Sequence, residues 1–221
     1  RDDYLLRSHP QGVYLIGAGE TAVSAAVWGF LDHLGYRLFF LTDTWEVVPR
    51  IEDLKVSIDS FETPDYVTRL APRGAPWSDT KLWSRWKKRN RVDSAFRLST
   101  GHAYGGIIQQ NREAFAAHPE YLALVDGKRG GSKFCIANPG LRKLVVDYAV
   151  RVMREHPEQD SISMEPSDGG GWCTCPECAR MGSVSDRVVT LANEVAEAIN
   201  GLGLGRKYVG FYAYNEQSPP P

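Results

Sequence analysis

The sequence predicts an α/β protein. A small amino-terminal α/β domain over residues 1–59 is followed by the first half of a TIM-type (β/α) barrel over residues 60–221. Three observations point there. From Asp65 onward, apolar runs of strand length alternate with segments of helical period, the pattern of parallel strands joined by right-handed crossovers. Polar side chains recur just after those strands, at Arg73, His102, Glu165, Asp168, Asn215 and Glu216, and in barrels that face carries the active site. Residues 161–178, SISMEPSDGGGWCTCPEC, pass from a strand into a glycine-rich loop holding Glu165, Asp168, a tryptophan and three cysteines.

The elements follow in order. Residues 12–16 (GVYLI) read as a strand and residues 21–34 as an amphipathic helix with Val23, Val27, Phe30, Leu31 and Leu34 on its inner face. Gly35 is its C-cap. Residues 36–41 read as a second strand, and residues 54–58 as an edge strand. The GAGETA turn over residues 17–22 and the acidic Asp43 imitate a dinucleotide fingerprint. No second crossover follows Asp43, so the turn is expected to be structural. A nucleotide-dependent oxidoreductase remains the rival reading.

Further on, strands are expected at residues 66–70, 94–98, 132–136 and 208–214, with 161–164 between the last two. Pro72, Gly74 and Pro76 mark a loop. Helices are expected at residues 79–90, 140–154 and 185–200. Asn138 and Pro139 open the second of these, whose apolar face is Leu141, Leu144, Val145, Tyr148 and Val152. Val188, Leu191, Val195 and Ile199 face inward on the third. Four parallel strands covered on one side leave an open edge. The barrel is therefore expected to be truncated here, and to continue in a longer chain or to pair with another chain along residues 208–214.

Composition narrows the partners. Lysine plus arginine number 26 against 27 aspartates and glutamates, so no net charge steers the chain to nucleic acid. The tryptophan- and base-rich stretch 83–89 reads as a solvated helix with a buried aromatic face. No apolar run is long enough to span a membrane. Six tryptophans and ten tyrosines suit a large core or the faces of sugar rings.

The four cysteines, Cys135, Cys173, Cys175 and Cys178, stand at metal-ligand spacing, C-x-C-x-x-C plus one. A structural zinc site closed by four thiolates and two disulfides are both open. Either version requires all four to cluster, and either would pin the carboxylate loop.

Glycoside hydrolysis needs two carboxyl groups, about 5 Å apart for retention and about 6.5–9.5 Å for inversion. Glu165, Asp168 and Glu216 are the candidates. Glu165, nearer the apolar strand, is the expected general acid, and Asp168 or Glu216 the base or nucleophile. Trp172 is the expected sugar-stacking platform, with His102, Tyr104 and Asn215 as further substrate contacts.

Residues 21–49, TAVSAAVWGFLDHLGYRLFFLTDTWEVVP, resemble the small domain preceding the barrel in family 67 alpha-glucuronidases and family 20 hexosaminidases. HPEYLALVDGKR (118–129), FCIANP (134–139) and MEPSDGGGWCTCPEC (164–178) resemble a bacterial family labelled domain of unknown function 4838. The resemblance implies a carbohydrate-active, glycoside hydrolase-like protein, exported from the cytoplasm, that needs no organic cofactor. A non-catalytic carbohydrate-binding protein on the same scaffold is the other rival.

Overall fold

The first strand, β1 (Tyr4–His9), alternates buried Tyr4 and Leu6 with more exposed neighbours, and turns through Pro10 and Gln11 into β2 (Gly12–Gly17). The computed structural model describes residues 2–69 and 80–220, with the backbone only at Thr80. Arg73, the loop at Pro72, Gly74 and Pro76, and the expected helix start at Asp79 lie outside the described residues, as does the end of the strand expected at 66–70. Residues 66–69 form no strand.

The chain divides into two compact units, Arg1–Phe96 and Arg97–Pro221. The boundary lies later than the one expected after Asp59. A strand straddles that point and pairs antiparallel with β1, Leu5 opposite Phe61.

In the first unit the sheet runs β2-β1-β5, with β5 at Asp59–Glu62, and both pairings are antiparallel. Strand β1 was not foreseen, and the edge strand starts after Ile58 rather than ending there. Helix α1 (Glu20–His33) buries Ala22, Ala25, Ala26 and Gly29. The expected inner residues Val23 and Val27 are instead 42% and 38% exposed. The reason is the closeness of the packing. A Cβ at Gly29 would lie 2.4 Å from the Tyr4 hydroxyl, and one at Gly17 would lie 2.3 Å from the Val23 amide nitrogen. Only small side chains fit that contact. Gly35 ends the helix as expected, at φ +96°, with the Tyr36 amide closing back onto the Leu31 carbonyl (3.0 Å).

The strand expected at 36–41 is reduced to β3 (Arg37–Leu38), paired antiparallel with β4 (Glu46–Val47). Among the described residues no parallel crossover follows the glycine turn, which is the element a dinucleotide site would need. Helix α2 (Thr80–Arg89) directs its arginines to acidic residues of the same unit. Arg85 reaches Asp43 and Glu46, both at 2.6 Å, and Arg89 reaches Glu46.

In the second unit, residues 97–103 run beside β8 (Ser161–Ser163) without forming the strand expected at 94–98. Serine hydroxyls replace the ladder. Ser161 Oγ accepts the Ser99 amide (2.7 Å) and donates to the Arg97 carbonyl (2.8 Å), and Ser163 Oγ donates to the Gly101 carbonyl (2.5 Å). A single parallel bridge joins His102 and Glu165. Two short helices follow, α3 (Tyr104–Gln110) and α4 (Arg112–Ala117).

Next comes an antiparallel hairpin, β6 (Leu122–Val125) and β7 (Lys128–Phe134). Its two-residue turn, Asp126 and Gly127, has both φ values positive (48° and 74°), matching the twist of the flanking strands. A parallel strand beginning near Ser132 was expected. The antiparallel hairpin breaks the predicted parallel alternation.

Helix α5 (Pro139–Glu155) is capped by Asn138, whose Oδ1 accepts the Gly140 and Leu141 amides. A short helix, α6 (Pro176–Arg180), follows the cysteine loop, and helix α7 (Val184–Asn200) opens with a capping box between Ser183 and Asp186. Strand β9 (Tyr208–Gly210) is shorter than expected. It pairs parallel with β8, so one parallel crossover unit is present. The core gathers Leu141, Val145 and Met153 from α5, Leu191, Val195 and Ile199 from α7, and Tyr104, Ile107 and Phe134. A smaller cluster consists of Ala123 and the four cysteines. The architecture is mixed α/β with small sheets, and among the described residues no barrel closes.

Candidate functional site

The site is built at the carboxyl ends of β8 and β9, where the chain leaves the sheet. Glu165 comes just after β8 and is 2% exposed. Its Oε2 accepts the Tyr212 amide (2.6 Å) and its Oε1 accepts Gln217 Nε2 (3.1 Å). Gln217 also donates to the Tyr212 carbonyl (2.9 Å). Both oxygens of Glu165 are thus taken by donors from the segment after β9. The carboxylate ties the two strand ends together.

His102, bridged through its backbone to Glu165, has Nδ1 2.7 Å from the Pro166 carbonyl. A carbonyl can only accept, so Nδ1 carries a proton. Nε2 lies 3.2 Å from Asp168 Oδ2, an ion pair whenever the ring is doubly protonated. Asp168 itself is largely exposed.

Lys133, on β7, had no place in the sequence-based set. It is 3% exposed, donates to the Ser167 carbonyl, and stands 4.3 Å over the Trp172 ring. Burial pushes its pKa down, while the carboxylates of Glu216, Glu165 and Asp168 oppose that shift. One ammonium is therefore the electrostatic meeting point of all three predicted carboxylates. Nothing in the sequence marks it except its place as a second lysine, near the end of the strand KRGGSKF. Gln217 was missed in the same way.

Glu216 lies in a 3-10 turn (Asn215–Gln217), and its Oε1 sits 4.0 Å from where a Cβ of Gly170 would be. Asn215 begins that turn at φ +50° and is exposed. Trp172 is partly buried, its Nε1 without a hydrogen-bond partner among the described residues, and one face of its ring is covered by Lys133.

Tyr104 is not the surface contact expected of it. It is fully buried and stacks on Phe134 with ring centroids 4.0 Å apart. Burial pushes its pKa up, and the charge of Glu165 adds to the effect. Tyr104 forms the floor under the site because it opens α3, whose inner side meets β7.

The four cysteines come together as expected, all buried, with every Sγ within 4.8 Å of the others. Cys135 Sγ is 3.6 Å from Cys175 Sγ and 3.8 Å from Cys178 Sγ. Four thiolates about 2.3 Å from one ion stand about 3.8 Å apart, whereas a disulfide closes to about 2.05 Å. No disulfide joins them: all four are free thiols. Amide groups point at the sulfurs: Leu124 N–H donates to Cys173 Sγ (3.3 Å) and Cys178 N–H to Cys175 Sγ (3.4 Å). Burial pushes the Cys173 thiol up, but the Leu124 and Cys175 amides outweigh it and bring it down to about 7. Burial raises Cys135 and Cys178. The donor set and its spacing can hold a metal ion.

The cluster bounds the site loop. Trp172 immediately precedes Cys173, and the Thr174 amide donates to the Leu124 carbonyl (2.9 Å). Arg187 of α7 holds the Cys173 carbonyl (2.9 Å).

Among known proteins, the chain is similar to Maximins y/Hv type 1 of Bombina maxima, 28% identical over 100 residues, which is 45% of this chain and 67% of that protein. No solved structure matches it. A family model described as a domain of unknown function, DUF4838, matches residues 40–221.

Proposed function

The chain belongs to the DUF4838 family, and on that footing we propose that its second unit is a glycoside hydrolase-like module whose carboxylate loop is held by a structural zinc ion. The observation that carries the reading is the convergence of Glu165, Asp168 and Glu216 on the buried Lys133, beside an aromatic ring and at the ends of parallel strands. The parallel β8–α7–β9 unit and the bridge at His102 are what support a (β/α) barrel as the parent architecture. The substrate class is a saccharide.

Within this proposal the carboxylates divide by accessibility. Glu165 has both oxygens occupied and positions the strand ends. Asp168 and Glu216 are exposed on facing loops and are the pair that can reach a glycosidic oxygen and a water. His102 sets the direction of Asp168, and Lys133 offsets the mutual repulsion of the acids. The general-acid role expected for Glu165 passes to one of the exposed pair. Zinc, bound by Cys135, Cys173, Cys175 and Cys178, would take no part in the chemistry, because four thiolates leave it no open position.

The test is turnover of a panel of aryl glycosides alongside glycan binding. Asp168→Asn and Glu216→Gln should each lower turnover about 10²–10⁴-fold with binding retained. A protein that binds glycans but turns none over is a carbohydrate-binding module, and full activity in both variants ends the acid/base assignment.

A further inference from the structure

Resting on the zinc reading above, we propose that Arg129 is the charge-balancing positioning residue of the thiolate centre. Four thiolates around a divalent ion leave two net negative charges in a cluster whose sulfur-bearing residues are at most 4% exposed. Buried charge of that kind needs a partner. Backbone amides of Leu124 and Cys178 supply dipoles but no charge. Arg129 supplies the charge. It lies on β7 six residues before the ligand Cys135, and its Nη1 is 3.7 Å from Cys173 Sγ.

The same nitrogen is fixed by the Leu122 carbonyl (2.9 Å), so the guanidinium is folded back along the hairpin and held against the sulfurs rather than left in solvent. Arg187, a second arginine beside the cluster, donates to the carbonyls of Cys173 and Gly182 and shapes the loop. Outer partners of this kind typically set metal affinity by 10–100-fold.

The experiment uses the full chain, reduced and loaded with zinc, and reads zinc loss to a chromophoric chelator. Arg129→Gln keeps an amide donor for the Leu122 carbonyl and removes the charge. It should give up zinc at about 10–100-fold lower chelator concentration, and Arg129→Lys should recover most of that loss. Loaded with cobalt, Arg129→Gln should also shift the sulfur-to-metal charge-transfer bands, which a remote stability effect would not do. Equal zinc retention in wild type and Arg129→Gln, or equal loss in the Gln and Lys variants, would overturn the proposal and leave Arg129 a hairpin brace. A wild-type chain that takes up neither zinc nor cobalt would instead remove the metal reading itself. If Arg129→Gln does not fold, the lysine variant decides: wild-type-like retention supports the charge role, and loss as deep as with a ligand cysteine replaced refutes it.

Discussion

Lys133 is the residue on which the site turns, and its burial has a consequence in pH. Desolvation depresses its pKa in the folded chain relative to about 10.4 when unfolded. Between the two values the unfolded chain binds more protons, so this group's contribution to stability rises with pH across that alkaline window. Below it, the ammonium is charged in both states, and only the folded state bears its desolvation cost. Urea titrations of wild type and Lys133→Met from neutral pH to about pH 10.4 should therefore differ by a term that grows in favour of wild type with pH. A constant difference would mean that Lys133 is not desolvated. Glu165 was legible from sequence as a strand-end carboxylate. Its two donors were not, because Tyr212 and Gln217 lie about fifty positions away and only the parallel pairing of β8 with β9 brings them there. Replacing Glu165 by Gln sets an amide N–H against one of those donors, and should destabilise the fold by about 1–3 kcal/mol in equilibrium unfolding.

Among the elements, α1 and its glycine turn separate a packing role from a binding one. A Cβ at Gly17 meets the backbone of α1, while a Cβ at Gly19 meets nothing within 4 Å. Gly17→Ala should cost about 1–3 kcal/mol or more through overpacking, and Gly19→Ala should be near neutral, both read by thermal unfolding. Equal cost at both positions would contradict the packing account. Helices α5 and α7 were readable because the cap of α5 and the 3.6-residue apolar periods of both are local. Ser183→Ala should cost about 1 kcal/mol by removing the cap on the Asp186 amide. The short strands were harder. Residues 97–103 run beside β8, yet serine side chains take the hydrogen bonds that would define a ladder, and no residue pattern announces that substitution.

For the whole molecule, all four thiols fall in the unit Arg97–Pro221. Metal binding to a folded cluster is folding free energy for the part that contains it. On the zinc reading proposed above, stripping the ion with a strong chelator under reducing conditions should lower the calorimetric transition of that unit and leave the transition of Arg1–Phe96 in place. A thermogram unchanged after the metal is shown to be gone would make the cluster an ordinary buried core.

What the sequence determined by itself was whatever is written in short range: the cap of α5, the apolar faces of α5 and α7, the C-x-C-x-x-C spacing, and the placing of carboxylates just past a strand. The clustering of Cys135 with the other three was a fair inference from one residue type. The tertiary structure alone decided the rest. It set how close α1 lies to its sheet, turned a supposed parallel strand into the hairpin β6–β7, put Tyr104 in the core, and brought Lys133 and Arg129 from one strand to the carboxylates and to the sulfurs. These depend on distances between segments far apart in the chain. Local propensity carries no information about such distances until the segments pack.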